Sequence, residues 1–276
     1  MTESYFQKLR SEQYLDSSNL NARATLHDLF SVNKRGLHRW EFDHLLRLAN
    51  GRILELGSGP AYVWLKNQDR IPDHWNVVVS DISPGMLFEA RERTKALSLN
   101  MHYAVIDGQF LPFPDRLFRI VTAHHMVYHI PNMRDAVKEI RRVLDRSGYL
   151  LAATNGEEHM KEVRELVHNL SDELIFGSRD ACGSSSSSFM KENGQALLSE
   201  FFDDVQWIEY EDDLRITDPS KLEEYVLSFP GNATEVFASS HMRSRLRAAI
   251  LSEMDEEGVF SVTKSTGMFL AKVDGA

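Results

Sequence analysis

The stretch Ile53-Leu-Glu-Leu-Gly-Ser-Gly-Pro-Ala61, followed by Val77-Val-Val-Ser-Asp81, constrains this chain more than any other. A short apolar run closed by glycine reads as a buried strand that turns sharply at its carboxyl end. Glycines at 57 and 59 let the backbone make that turn and approach a ligand closely. Asp81 closes the next apolar run, about twenty residues on, where a carboxylate can accept both hydroxyls of a ribose. The two segments together place an adenosine-type ligand across the carboxyl ends of neighbouring parallel strands. A dinucleotide fingerprint needs a third glycine three residues after the second, to pack the helix and meet a pyrophosphate. That position is Tyr62, and Glu55 stands in the strand just before the glycines.

The rest of the chain repeats the strand–helix rhythm. Met101–Ile106, Phe118–Ala123 and Gly148–Thr154 are further short apolar runs, with helical stretches such as Pro84–Leu97 and Asn132–Leu144 between them. That alternation predicts βαβ units and a parallel sheet. Three regions follow. Residues 1–50 read as an amphipathic helical cap broken at Asn33–Gly36, and residues 51–155 as the ligand-binding core. In 156–276, the helix Glu157–Leu174 precedes a glycine- and serine-rich loop, Gly177–Ser188. A helix closing at Ala196–Phe202, a strand over Val205–Tyr210, a helical insertion over about 218–257 and a strand pair or one long strand over Val259–Lys272 complete it.

Composition narrows the chemistry. The 31 basic and 41 acidic residues leave a net charge of −10, which disfavours nucleic acid because phosphate binding draws on lysine and arginine. No apolar run approaches the roughly 18 residues of a membrane span, and Met1–Arg10 lacks a signal-peptide core, so a cytoplasmic protein is expected. The single cysteine, Cys182, excludes an intrachain disulfide and argues against a thiolate metal site; no metal is expected. A carboxylate at position 55 suits a ligand with cationic groups better than one with two phosphates. S-adenosylmethionine carries an ammonium and a sulfonium and no phosphate, and it fits that requirement.

Ala104-Val-Ile-Asp-Gly-Gln-Phe-Leu-Pro-Phe-Pro-Asp115, Phe118-Arg-Ile-Val121 and Glu139-Ile-Arg-Arg-Val-Leu-Asp-Arg-Ser-Gly-Tyr-Leu-Leu151 extend the pattern. With the glycine loop they resemble the class I S-adenosylmethionine-dependent methyltransferases of the UbiE-like, small-molecule type (methyltransferase type 11) over residues 53–154. Tyr14–Arg23, Ala123–Pro131 and Thr263–Phe269 look like a bacterial subgroup of that family. The resemblance implies a Rossmann-like α/β fold. It would have a mostly parallel seven-stranded sheet with helices on both faces, an N-terminal helical cap and a helical insertion before the last strand. It also implies roles. Glu55, Gly57, Ser58 and Gly59 would cradle the methionine half and ribose, and Asp81 would take the ribose hydroxyls. Ile82 and Met86 would flank the adenine, Asp107 and Gly108 would read its amino edge beside Gln109, and the carbonyl of His124 would accept from the ammonium.

Three residues depart from the pattern. Ala61 replaces the usual final glycine, which a methyl group tolerates if φ is negative. Arg119 stands where an aspartate is common, and His124 where the subgroup often has asparagine.

Methyl transfer is an in-line displacement, and a hydroxyl or ammonium acceptor must also lose a proton. His124-His125-Met-Val-Tyr128-His129 follows the fourth strand, so His125 and His129 are candidate bases, with Tyr128 orienting or donating. Packing roles for these side chains stay open. Tyr14 and Arg23 could close over the cofactor, Arg23 pairing its carboxylate. Tyr225, Leu227, Phe229, Phe237, Met242 and Leu246 could line an apolar pocket or simply pack the insertion. The expected function is methyl transfer from S-adenosylmethionine to an oxygen or nitrogen of a small metabolite, releasing S-adenosylhomocysteine, by a monomer or homodimer. The alternatives are carbon methylation of a quinone-like or activated-methylene substrate, and a non-catalytic sensor or assembly protein that binds the cofactor.

Overall fold

A computed structural model describes residues 17–48, 50–170, 189–229 and 233–273; Tyr14 and the serine-rich segment 177–188 lie outside them. The helices Ser18–Phe30 (α1) and Leu37–Leu48 (α2) precede the sheet. Strands Arg52–Leu56 (β1), Asn76–Asp81 (β2), Asn100–Val105 (β3), Phe118–Thr122 (β4) and Leu144–Asn155 (β5) pair in parallel. Helices Tyr62–Leu65 (α3), Pro84–Thr94 (α4) and Met133–Val143 (α5) connect them. Helices Lys161–Leu170 (α6) and Lys191–Leu198 (α7) lead to β6, Asp204–Glu209, and to β7, Asp213–Ile216. Pro219–Leu227 (α8), Ala233–Val236 (α9) and Ser240–Glu253 (α10) form the insertion before β8, Phe260–Thr263, and β9, Thr266–Lys272.

The main sheet has seven strands in the order β3-β2-β1-β4-β5-β9-β6, with β9 antiparallel to both neighbours. This is the expected mostly parallel, Rossmann-like sheet. The order reverses between β1 and β4, and a ligand crevice opens at such a switch point. Val259–Lys272 divides between two sheets. β8 pairs with β7 in a separate ribbon, and Lys264 at the break is buried in an ion pair with Asp212 at 2.6 Å.

Both faces of the sheet are covered, so the central strands are apolar on both sides. Leu54, Val121 and Leu150 pack with Val137, Ile140 and Val143 of α5; Ile53, Val77 and Ile120 pack with Phe42 and Leu45 of α2 and with Trp64. A third apolar cluster joins α1, α6, α8, α10 and the β7–β8 ribbon. Tyr225, Phe229, Phe237 and Leu246 are buried in this cluster, with Leu227 and Met242 against it, so these residues pack the insertion. Arg119 also finds a local role. It donates from Nη1 to the carbonyl and hydroxyl of Ser147, and its guanidinium lies 5.2 Å from the Tyr149 ring, bracing the start of β5 against β4. Among the described residues no helix is long and apolar enough to cross a membrane.

Candidate active site

The cleft lies at the carboxyl ends of β1, β2 and β4, and Glu55, Gly57, Ser58, Gly59, Asp81, Ile82 and Met86 all line it. Asp81 organises the turn. Its Oδ2 accepts the Gly59 amide N–H at 2.9 Å, and its Oδ1 accepts that of Ser83 at 2.8 Å. The backbone of Ile82 also bonds to this carboxylate. Gly57 has φ +64, and a Cβ there would sit 2.7 Å from Cβ of Met126. Glycine is therefore required by both conformation and space.

Ala61 differs from its expected geometry. Its φ is +65, in the left-handed region, so the methyl group is carried under strain. Left-handed backbone costs an L residue roughly 1–2 kcal/mol, whereas burying one methyl returns about 0.8 kcal/mol. Ala61 is fully buried against the α2 side of the sheet. Its replacement by glycine also loosens the unfolded chain by about 0.4–1 kcal/mol. Ala61→Gly should therefore change stability by less than about 1 kcal/mol, read as a near-constant urea midpoint.

Asp107 and Gly108 line the far end of the cleft. Gln109 does not line it; its amide N–H groups, backbone and side chain, donate to Asp107, and its Oε1 accepts from the backbone of Asn132. It fixes the aspartate rather than reaching a ligand. Arg23 also stands away from the lining and donates from Nε to the carbonyl of Asn19; Leu20 of the same helix is the residue that reaches the cleft. Tyr62 donates its hydroxyl to Asn21 and stacks on His38 at 5.7 Å, tying α1 and α2 to the glycine loop.

The charge of the lining is one-sided. Among the described residues it holds three carboxylates, Glu55, Asp81 and Asp107, and no lysine or arginine. That set suits a cationic ligand without phosphates and opposes a pyrophosphate. Glu55 accepts from Trp64 Nε1 at 2.6 Å, yet burial raises its carboxyl to about 7. A cationic ligand group brought beside it favours the ionised form.

The loop after β4 forms another wall of the cleft. His124, His125 and His129 line the cleft. The His125 amide N–H donates to the Ala153 carbonyl at 2.9 Å, and His125 has φ +52. Tyr128 is buried in the core cluster, with its ring 4.5 Å from that of His129, and does not line the cleft. Burial lowers the imidazoles of His124 and His125, the latter to about 4, so His125 is an unprotonated base at neutral pH. Behind them lies Glu41 of α2, fully buried. Its Oε2 is 2.9 Å from His38 Nδ1 and 3.7 Å from His124 Nδ1; its Oε1 is 4.0 Å from His125 Nε2. Burial alone would raise this carboxyl, but His124, the His38 hydrogen bond and His125 outweigh it and hold Glu41 at about 2. Glu41 and His38 are absent from the sequence-derived candidates. The available signal is a carboxylate at a position that helical periodicity, shared with Phe42 and Leu45, assigns to the buried face.

The glycine loop, Asp81 at the end of the neighbouring strand and a described lining without lysine or arginine agree with a class I S-adenosylmethionine-dependent methyltransferase domain. Residues 54–152 match the family model described as a methyltransferase domain, and S-adenosylmethionine is the cofactor of this class. Among curated proteins, the chain is 33% identical over 131 residues to the ubiquinone/menaquinone biosynthesis C-methyltransferase UbiE of Rickettsia akari (strain Hartford), covering 45% of this chain and 52% of that protein. The corresponding UbiE of Rickettsia prowazekii (strain Madrid E) is 31% identical over the same shares. The chain thus spans about half the length of the curated relatives it matches. Among solved structures, the YcgJ protein of Bacillus subtilis superposes with a TM-score of 0.57 at 16% identity, covering 86% of this chain and 98% of that one. Phosphoethanolamine N-methyltransferase 2 of Haemonchus contortus, in complex with S-adenosyl-L-methionine, gives 0.55 at 19% identity over 99% and 60%. At these identities the structures share the fold.

Proposed function

We propose that this chain transfers a methyl group to an oxygen or nitrogen atom of a small metabolite, with His125 taking the acceptor's proton. S-adenosylmethionine supplies an electrophilic methyl group on a sulfonium. In this reading Gly57, Ser58 and Gly59 hold the chain end of the cofactor, Asp81 its ribose, and Asp107 with Gly108 its adenine edge. Ile82 and Met86 give the adenine apolar walls. The observation that carries the reading is His125 on the cleft wall, held neutral by burial and within ion-pair range of an ionised carboxylate. Such a group can accept a proton at neutral pH and be stabilised once charged.

The curated relatives' names favour a second reading, carbon methylation. An activated carbon acid also gives up a proton, so His125 serves either acceptor. Incubation with S-adenosylmethionine labelled in the methyl group, against hydroxyl, amine and activated-carbon compounds, tests both by product mass. Transfer of the label is expected; none to any class, in a protein that binds the cofactor, favours a sensor or assembly role.

Once an acceptor is found, His125→Ala should lower kcat by about 10²–10⁴-fold with cofactor affinity retained. His129→Ala should have a smaller effect. Unchanged turnover in both variants removes the histidines from the chemistry.

A further inference from the structure

The acceptor-side base has a partner that the cofactor site does not need. We propose that Glu41, from α2 outside the sheet, is a positioning residue for His125: it fixes which ring nitrogen faces the acceptor and stabilises the imidazolium formed there. The proposal rests on His125 being the base.

Glu41 is a costly residue to place where it is. A fully buried carboxylate must be paired or hydrogen-bonded to remain ionised. Here its nearest polar neighbours are three imidazoles: His38, which is hydrogen-bonded to it, and His124 and His125, which pair with it only when protonated. Only one of its oxygens is used. Oε2 takes the His38 hydrogen bond, while Oε1 has no hydrogen-bond partner and faces His125 Nε2, which also has none. A carboxylate kept for packing would be satisfied on both oxygens. Two facing polar atoms 4.0 Å apart are instead a contact that closes when His125 becomes charged, since catalytic hydrogen bonds are often long before substrate binds.

The geometry fixes the roles of the two nitrogens. With Nε2 turned toward an anionic carboxylate, the proton of the neutral ring belongs on Nε2, and the Nδ1 lone pair is left for the acceptor. The left-handed backbone of His125 and its amide bond to the Ala153 carbonyl fix the main chain from which the ring projects. In the step itself, the acceptor's X–H proton passes to Nδ1. The freed electron pair forms the X–C bond to the methyl carbon as the C–S bond breaks, leaving its pair on sulfur. The imidazolium then lies between the product and Glu41. Of the other titratable groups near it, His124, His38 and Lys264 disfavour its protonation, and the buried His27 and His159 are coupled to it as well. Glu41 is the group that favours it.

The test is nitrogen NMR of histidine-labelled protein saturated with S-adenosylhomocysteine, with His125 assigned through His125→Gln. At neutral pH the wild type should show His125 protonated on Nε2, and carbon-labelled Glu41 should remain ionised at pH 5. In Glu41→Met the Nε2–H preference should be lost while S-adenosylhomocysteine affinity is unchanged, because Glu41 does not line the cleft. An Nδ1–H tautomer or a protonated Glu41 in the wild type overturns the proposal. An unchanged tautomer in the variant, or a joint loss of ligand affinity in a folded variant, does so too. Should Glu41→Met not fold, the two wild-type measurements decide alone. Failure of S-adenosylhomocysteine to bind the wild type overturns the cofactor reading instead.

Discussion

Asp81→Ala is expected to eliminate measurable cofactor binding and to destabilise the protein by about 2 kcal/mol. The Asp81 carboxylate accepts the amides of Gly59 and Ser83, so alanine strands two backbone donors at once. Each stranded buried donor costs roughly 1–3 kcal/mol. Burial raises the pKa of Asp81, so removing the charge recovers part of that cost. The effect on binding is larger because the residue acts twice. It shapes the glycine loop, and in the proposed role it takes the ribose. Asp81→Asn retains one acceptor oxygen and should lose less stability than alanine, while still weakening binding. Urea denaturation and calorimetry with S-adenosylhomocysteine measure the two effects separately. An alanine variant that binds as tightly as the wild type would remove Asp81 from the site.

Glu55→Gln should change stability in a strongly pH-dependent way. Burial lifts the folded-state pKa of Glu55 from 4.5 to about 7. Between those values the native state keeps a proton that the unfolded chain gives up. Stability therefore falls as pH rises through this window and levels off above it. The interval corresponds to about 3 kcal/mol. Glutamine cannot ionise and can still accept from Trp64 Nε1. The variant should match the wild type near pH 4 and exceed it by up to about 3 kcal/mol at pH 8, without cofactor. Glu41 works in the opposite sense. Its pKa is lowered from 4.5 to about 2, so its contribution is present above 4.5 and lost as pH falls toward 2. It is common to both proteins and cancels in the comparison. Equal stability differences at pH 5 and pH 8 would contradict the assignment.

What the sequence revealed was chiefly local. A strand, a glycine turn and an aspartate closing the next strand are read from short windows, because backbone conformation and adjacency in a parallel sheet require those residue types. Gly57 and Asp81 were legible for that reason. Glu41 was not, because two of its three histidine partners arrive from a loop more than eighty residues away, and only the folded chain turns α2 toward the histidines after β4. Gln109 was read as a ligand neighbour from its place beside Asp107 and Gly108, and Arg23 as a cap residue closing over the cofactor, yet side-chain direction sets one to clamp Asp107 and the other to bond its own helix. Tyr128 follows the same logic. It neighbours His129 in sequence, but its ring is buried in the core. Ala61 shows the reverse case, where the residue type argued for a negative φ and the turn imposed a positive one.

The most direct measurement is calorimetric titration of the wild-type protein with S-adenosylmethionine, S-adenosylhomocysteine and NAD. The carboxylate-lined cleft, without lysine or arginine among the described residues, should give saturable binding of the first two and none of NAD. Saturable binding of NAD alone would contradict the cofactor assignment and every role built on it.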